Sequence, residues 1–316
     1  MSERMKSYDA ESDFARYLEA KTSVDDRALD VGTMMSLADA IAERESTELK
    51  VLEVGCGVGN MLARLLNRGV FDSVRELDYT AIDIEPTYIE RAKERLGQWA
   101  LELGYQIEKV ADAHFRLTDD NRRIDLRFFS ASLSEWVERD DVSNAYNLII
   151  AQAVLDILNA SVAVGQVFRM LPAGGLYYFP IHFDGNTIFE PTFDPLFDAE
   201  IERHYHASMD NRVIDGKPSG DSRTGRHLFA VIRAAGGQVM ASGGSSWVVH
   251  SDGEKYPGDE AYFLHYIVDG VYRELSQSSE ISQPFLWQWA GVRHSQVESG
   301  ELVYLAHQLD FFGVRL

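Results

Sequence analysis

Residues 51–61 read VLEVGCGVGNM. A branched apolar run carries one acid, Glu53, and then Gly55, Gly57 and Gly59 alternate before the chain turns apolar again. The run has the composition of a buried strand, and the segment after the glycines has the spacing of a helix. Glycine permits a tight turn and lets a ligand approach the backbone closely. The helix that follows offers unpaired amide hydrogens at its start, which suit a carboxylate or a phosphate. The stretch therefore reads as a strand, a ligand loop and a helix.

Working outward, the same alternation continues. LKVLEV is a first strand and NMLARLLNRG a helix closed by Gly69. YTAIDI is a second strand, and PTYIERAKERLGQWALELG a helix with Pro86 in its first turn and Gly104 past its end. DLRFFSA is a third strand, YNLIIAQAVLDIL a fourth strand running into a helix, SVAVGQVFRML a helix and GLYYFPIHF a fifth strand. Strands separated by helices imply parallel pairing with right-handed crossovers. The fold class expected is α/β: a doubly wound, mostly parallel, seven-stranded sheet with helical additions. Residues 8–45 read as helical, broken near Thr22-Ser23 as a second N-cap. QVMAS and SWVVHS, joined by Gly243-Gly244, read as a hairpin, and Tyr256 to Leu316 reads as mostly helical. The expected organisation is an N-terminal helical lid (1–45), a cofactor-binding core (46–185), an inserted cap (186–224), a last core helix with hairpin (225–250) and a C-terminal helical cap (251–316).

Two ligand classes use a glycine loop at this position. A dinucleotide site favours G-x-G-x-x-G, but here the third glycine arrives one residue early and Asn60 holds the dinucleotide position. Glu53 would repel a pyrophosphate, whereas it can accept a hydrogen bond from an ammonium group. The pattern E-x-G-x-G-x-G resembles the first motif of class I S-adenosylmethionine-dependent methyltransferases. AIDIEP is similar to that family's second-strand motif, YNLIIAQAVLDIL to its fourth-strand motif, and VFRMLPAGGLYYF to the turn leading into strand five. The resemblance covers residues 50–183, and the hairpin at 237–250 fits the family's last two strands. It implies S-adenosylmethionine as cofactor. The cofactor-binding residues it implies are Glu53, Gly55, Cys56, Gly57, Gly59 and Asn60 in the loop, and Asp83 on the ribose hydroxyls beside Ile84 at the adenine. Ser132 and Leu133 stand where the family usually places an adenine-binding aspartate, and Ala151 and Gln152 should lie near the sulfonium. Arg27, in SVDDRALD, is the candidate for the methionine carboxylate.

Net charge is −20, which opposes binding to a phosphate backbone and docking on anionic lipid. No apolar stretch approaches the length of a membrane span, and the polar opening MSERMKSYDAESDF has no signal-peptide core, so a cytoplasmic protein is expected. The single cysteine, Cys56, excludes an intrachain disulfide and a cysteine-built metal cluster.

Methyl transfer from a sulfonium is an in-line displacement that needs alignment and exclusion of water, plus a base where the acceptor is a hydroxyl or a carbon acid. The candidate catalytic residues are His182, at the mouth of strand five, and the His206–Asp210 pair, one helical turn apart. A metal held by His204 and His206 is disfavoured, because two residues apart on a helix they point different ways. Trp247, Tyr262, Phe285, Trp287 and Trp289 are candidates for an apolar acceptor pocket. The reading is a methyltransferase acting on a small organic molecule, with the acceptor atom and homodimer formation open. The competing readings are a non-catalytic S-adenosylmethionine-binding partner of the same fold, a protein or RNA methyltransferase, and a nicotinamide dehydrogenase.

Overall fold

The computed structural model describes residues 10–214, 216–253 and 255–316. Three helices open the described chain: α1 (Ala10–Ala20), α2 (Thr22–Ala28) and α3 (Val31–Ala42). The core then runs β1 (Glu48–Val54), α4 (Asn60–Asn67), β2 (Glu76–Asp83), α5 (Pro86–Glu102), β3 (Gln106–Ala111), β4 (His114–Thr118), β5 (Arg123–Ser130), α6 (Leu133–Val137), β6 (Leu148–Ala151), α7 (Ala160–Met170) and β7 (Leu176–Glu190). Next come α8 (Pro195–Asp210), the two-residue strands β8 (Val213–Ile214) and β9 (Lys217–Pro218), α9 (Thr224–Ala234), β10 (Gly237–Gly244) and β11 (Trp247–Val249). Helices α10 (Glu260–Leu275) and α11 (Gln283–Glu298) and strand β12 (Val303–Arg315) close the chain.

The main sheet has the order β10-β12-β7-β6-β1-β2-β5-β4-β3, with β11 paired to β12 beside this path. Its first seven strands, β10 to β5 along the path, are the expected doubly wound sheet. The pairs β1–β2, β1–β6, β2–β5 and β6–β7 are parallel. Only β12 within these seven runs antiparallel to its neighbours β7 and β10. The strand order reverses between β1 and β6, so a crevice opens at their carboxyl ends, where α/β proteins bind ligands.

Both sheet faces are covered. Met34 and Leu37 of α3, Met61 and Leu65 of α4 and Ile89 and Leu96 of α5 pack on one face. Trp136 of α6, Val164 of α7 and Leu228 of α9 pack on the other. A third cluster joins α1, α2, α8, α10 and α11 to the far ends of β7 and β12 and forms a cap. Among the described residues no helix is long and apolar enough to cross a membrane, and no group of three or more metal-ligating side chains is suitably placed for an ion.

Several expectations are corrected. The helix α2 has Lys21 at its N-cap, and Thr22 Oγ1 instead donates to Glu19 O at 2.7 Å. A second break falls at Asp30, whose carboxylate accepts from Thr33 N at 2.7 Å and caps α3. Residues 8 and 9 of the helical reading lie outside the described residues. The segment after Gln152 is a turn-rich loop rather than a helix, with Ala153 at φ 50°. The glycine-linked hairpin does not form: β10 and β11 both pair with β12 and not with each other. The end of the C-terminal segment is not helical, because 303–315 supplies the antiparallel strand of the sheet.

Candidate functional site

The glycine loop crosses from β1 to α4 under direct control of β2. Cys56 N donates to Ile82 O at 3.0 Å, and Gly57 N donates to Asp83 Oδ2 at 2.8 Å. Gly55, Gly57 and Gly59 have φ of 66°, 51° and 81°, a region that side chains disfavour. At Gly55 space is also lacking, since a Cβ would stand 2.4 Å from Val154 Cγ2. Gly55→Ala is therefore expected to cost about 2 kcal/mol or more of stability. Urea unfolding with an unchanged midpoint would contradict that placement.

Beyond the loop lies a cavity of about 380 Å³ at the carboxyl ends of β1, β2 and β6. Glu53, Gly55, Cys56, Gly57, Asn60, Asp83, Ile84, Ser132, Leu133 and Gln152 line it. Two of the loop and strand candidates do not. Gly59 is the left-handed N-cap of α4, and its Cα faces Ala92 of α5, where a Cβ would stand 3.0 Å away. Ala151 is fully buried as the last residue of β6.

Two buried carboxylates of the sheet, on β1 and β2, face the cavity. Glu53, 3 % exposed, accepts a hydrogen bond from Tyr79 Oη at 2.7 Å. Burial pushes its carboxyl up to about 7, against the opposing pull of the Tyr79 hydroxyl and Arg64. Asp83 accepts from Gly57 N and from Glu85 N at 3.0 Å. Burial raises its carboxyl as well, and those backbone donors oppose the rise. Ile84 is exposed beside Asp83, an apolar side chain held at the rim. Ser132 lines the wall while capping α6: its hydroxyl accepts from Glu135 N, and its own N–H donates to Glu135 Oε2. The Cys56 thiol is buried and its pKa raised by that burial, so it is protonated and unreactive at neutral pH.

Residues from the N-terminal helices complete the site. Phe14 and Leu18 of α1 lie over the cavity, and the Phe14 ring stacks on Tyr88 of α5 at 5.7 Å. Asp25 of α2 is fully buried and gathers donors: Gln152 Nε2 at 2.8 Å, Trp247 Nε1 at 2.9 Å and Lys21 Nζ at 3.3 Å. Gln152 Oε1 in turn accepts from Arg64 Nη1 at 2.9 Å. Lys21 and Asp25 both line the cavity. Sequence reasoning missed this hub, because Lys21 and Asp25 have the i,i+4 spacing of an ordinary solvated pair and their other partners, Gln152 and Trp247, lie far along the chain.

Arg27 is displaced from its expected role. Its guanidinium grips Glu260 at 2.5 and 2.8 Å and fastens α2 to α10, away from the cavity. Arg27→Ala is accordingly expected to lower the melting temperature by a few degrees while leaving affinity for S-adenosylhomocysteine within about twofold. Calorimetry showing a tenfold loss would return it to the site.

The candidate catalytic trio does not converge on the cavity. His182 is fully buried, with Nε2 accepting from Leu155 N at 3.3 Å and Nδ1 beside Phe179 O at 3.2 Å. It is a brace beneath the loop whose Val154, Ile157 and Leu158 form part of the wall. His206 bonds Thr187 Oγ1 at 3.0 Å, and Asp210 accepts from Ser222 N at 2.7 Å rather than orienting the imidazole. None of the candidate aromatics lines this cavity either. Trp247 reaches Asp25, Tyr262 lies under Arg16, Trp289 is buried against Asp198, and Phe285 and Trp287 are about half exposed.

Residues 51–151 match the family described as methyltransferase domain. A malonyl-[acyl-carrier protein] O-methyltransferase of Paenibacillus sp. (strain JDR-2) is 29 % identical over 177 residues, 54 % of this chain and 51 % of that protein. A demethylmenaquinone methyltransferase of Leptospira interrogans is 30 % identical over 141 residues, 45 % of this chain and 46 % of that protein. The chain spans about half the length of the curated relatives it matches. Among solved structures, the geranyl diphosphate C-methyltransferase of Streptomyces coelicolor A3(2), solved with Mg2+, geranyl diphosphate and S-adenosyl-L-homocysteine, aligns over 90 % of this chain and 80 % of its own. Its identity is 11 % and its TM-score 0.42.

Proposed function

We propose that this chain, whose residues 51–151 match the family described as methyltransferase domain, uses S-adenosylmethionine to methylate a small organic molecule. The observation that carries the reading is the pair of buried carboxylates, Glu53 and Asp83, on either side of a glycine loop at the mouth of one cavity. The pair suits an amino acid joined to a nucleoside. Glu53 offers a carboxylate to an ammonium group, and Asp83 offers two oxygens to adjacent ribose hydroxyls. Ile84 and Leu133 supply apolar contact for a purine, and about 380 Å³ is room for one such nucleoside. A pyrophosphate would have to sit against two acids, which disfavours a dinucleotide.

When bound, the cofactor supplies a methyl group on a sulfonium, an electrophile with a neutral leaving group. The chain's part is to orient the reactants and keep water out. Phe14, Leu18 and Tyr88 cover the cavity with apolar surface. Asp25 fixes Gln152 at the end of β6, and the His182 brace fixes the loop that follows. In this reading Asp25 and Lys21 are the ionisable groups nearest the expected acceptor side, and His206 and Asp210 have no part in the reaction. Residues 46–185 are then the cofactor-binding core, and the helices around it shape the acceptor side. The curated relatives act, by their names, on malonyl-[acyl-carrier protein] and on demethylmenaquinone. The second of these is a small organic acceptor of the proposed kind, and the −20 net charge disfavours RNA.

Thermal melting tests the reading directly. S-adenosylhomocysteine at a hundred times its Kd should stabilise the protein by about 2.7 kcal/mol, while NAD should do nothing. A shift with NAD alone, or with neither, overturns it. Mass spectrometry of small molecules that co-purify with the protein then addresses the acceptor.

A further inference from the structure

A second cavity, of about 260 Å³, lies behind the glycine loop between α2, α4 and α5. Its wall includes Arg64, Arg95, Asn60, Asn67, Ala63 and Trp99, with one carboxylate, Asp26, which is paired to Arg64 Nε. Among the described residues, seven buried side-chain nitrogen or oxygen atoms have no hydrogen-bond partner, and two of them are Arg64 Nη2 and Arg95 Nε. Both arginines of this one cavity thus hold a buried N–H that nothing accepts. Such a group costs about 1–3 kcal/mol when left unmade, more when it is charged.

The neighbouring acids do not remove the deficit. The side chain of Arg64 is only 3 % exposed; its Nε pairs with Asp26 and its Nη1 with Gln152. Its Nη2 stands 4.0 Å from Asp25 Oδ2, beyond hydrogen-bond range. Arg95 Nη2 donates to Asn60 Oδ1 at 2.9 Å, and its Nη1 is 4.0 Å from Glu19. Trp99 Nε1 is taken by Asn67 Oδ1 at 3.3 Å. Arginine forks and amides around a cavity larger than one ion suit an oxyanion carried on a small organic group. Leu96 and the Trp99 ring supply the apolar wall for that remainder.

We propose that this second cavity binds a small oxyanion, a phosphate ester or a carboxylate, and that its occupancy changes affinity in the glycine-loop cavity. The coupling runs through Asn60, which lines both cavities. Its Oδ1 accepts from Arg95, and its Nδ2 donates to Leu18 O at 3.2 Å, in the helix over the first cavity. An anion that draws Arg95 away from Asn60 loosens that link. Affinities in the two cavities then depend on each other by the same factor in both directions. The anion site itself stands on Arg64 and Arg95 and does not depend on the methyltransferase reading.

The test is calorimetry of the full chain with inorganic phosphate, methyl phosphate and acetate, each at one ionic strength set with sodium chloride. The expected result is one saturable site with Kd below about 1 mM for at least one of them. Which anion binds tightest separates an ester phosphate from a carboxylate. Arg95→Gln should weaken it at least tenfold, as should Ala63→Glu, which places a carboxylate in the cavity; circular dichroism checks that both variants fold. S-adenosylhomocysteine affinity, measured with and without the anion, should differ severalfold in the parent and not in Arg95→Gln. Heats that never saturate with any of the three, or equal Kd values in parent and both folded variants, would overturn the site. An unchanged S-adenosylhomocysteine affinity would overturn the coupling.

Discussion

Asp83→Ala is expected to weaken S-adenosylhomocysteine binding by 10²- to 10⁴-fold while the chain still folds. In the proposed function the carboxylate accepts from two sugar hydroxyls, and a hydrogen bond to a charged group contributes about 1.5–3 kcal/mol. Two such bonds give about 3–6 kcal/mol, and each 1.4 kcal/mol is tenfold in affinity. A further loss comes through the loop, because Asp83 Oδ2 holds Gly57 N and Oδ1 holds Glu85 N. Without that acceptor two backbone donors must find water, and the glycine loop loses its tie to β2. Asp83→Asn separates the two effects. The amide oxygen can accept from Gly57, but the amide nitrogen cannot accept from a second hydroxyl. An intermediate loss is expected for it, with a melting temperature closer to the parent's. Calorimetry reads both variants, and a Kd for Asp83→Ala within threefold of the parent would remove the sugar contact from the proposal.

Much of this site could be read from residues alone, and the reason is local. Val51 to Asp83 encodes strand, loop, helix and strand in consecutive segments whose apolar spacing matches the element each becomes. The places where reading failed are long-range. Along β12 the buried positions include Tyr304, Ala306, Gln308 and Asp310. Two of these are polar, so the alternation that marks a half-buried strand is inverted in the second half, and the segment reads as a continuation of the helical pattern before it. Asp310 is tolerated there because its oxygens accept from Asp30 N at 2.9 Å and Ile181 N at 2.7 Å, partners 280 and 129 residues away. The hairpin expectation failed for a similar reason. Gly243 and Gly244 suggest a tight turn, but Gly243 lies against the Asp30 carboxylate, where a Cβ would stand 2.2 Å from its Cγ. The glycine is required by packing on the N-cap of α3, and not by a turn. Arg27 failed because Glu260, its partner, lies 233 residues on.

Glu53 gives the second large effect, a pH dependence of both stability and binding. Its carboxyl has an ordinary value of 4.5 and is pushed up to about 7 by burial in the folded chain. Between those values the folded state holds a proton that the unfolded state has released. Stability from this group is therefore complete below 4.5 and is lost as pH rises through about 7. The loss amounts to about 3 kcal/mol, at 1.36 kcal/mol per unit. Asp310, raised to about 6 by burial, gives a loss of the same sign over a lower window. Glu53→Gln should thus remove the fall between pH 6 and 7 and lessen, without abolishing, the fall below pH 6, as read by urea unfolding at a series of pH values. Binding runs the other way. An ammonium group at Glu53 requires the ionised carboxylate, so ligand binding must expel the proton. S-adenosylhomocysteine affinity should rise about tenfold per unit from pH 5 to near 7 and then level off. In Glu53→Gln the curve should be flat and lower over that range, since no proton is released and no charge meets the ammonium. A slope that persists unchanged in Glu53→Gln would assign the proton to another group and take the ammonium contact away from Glu53.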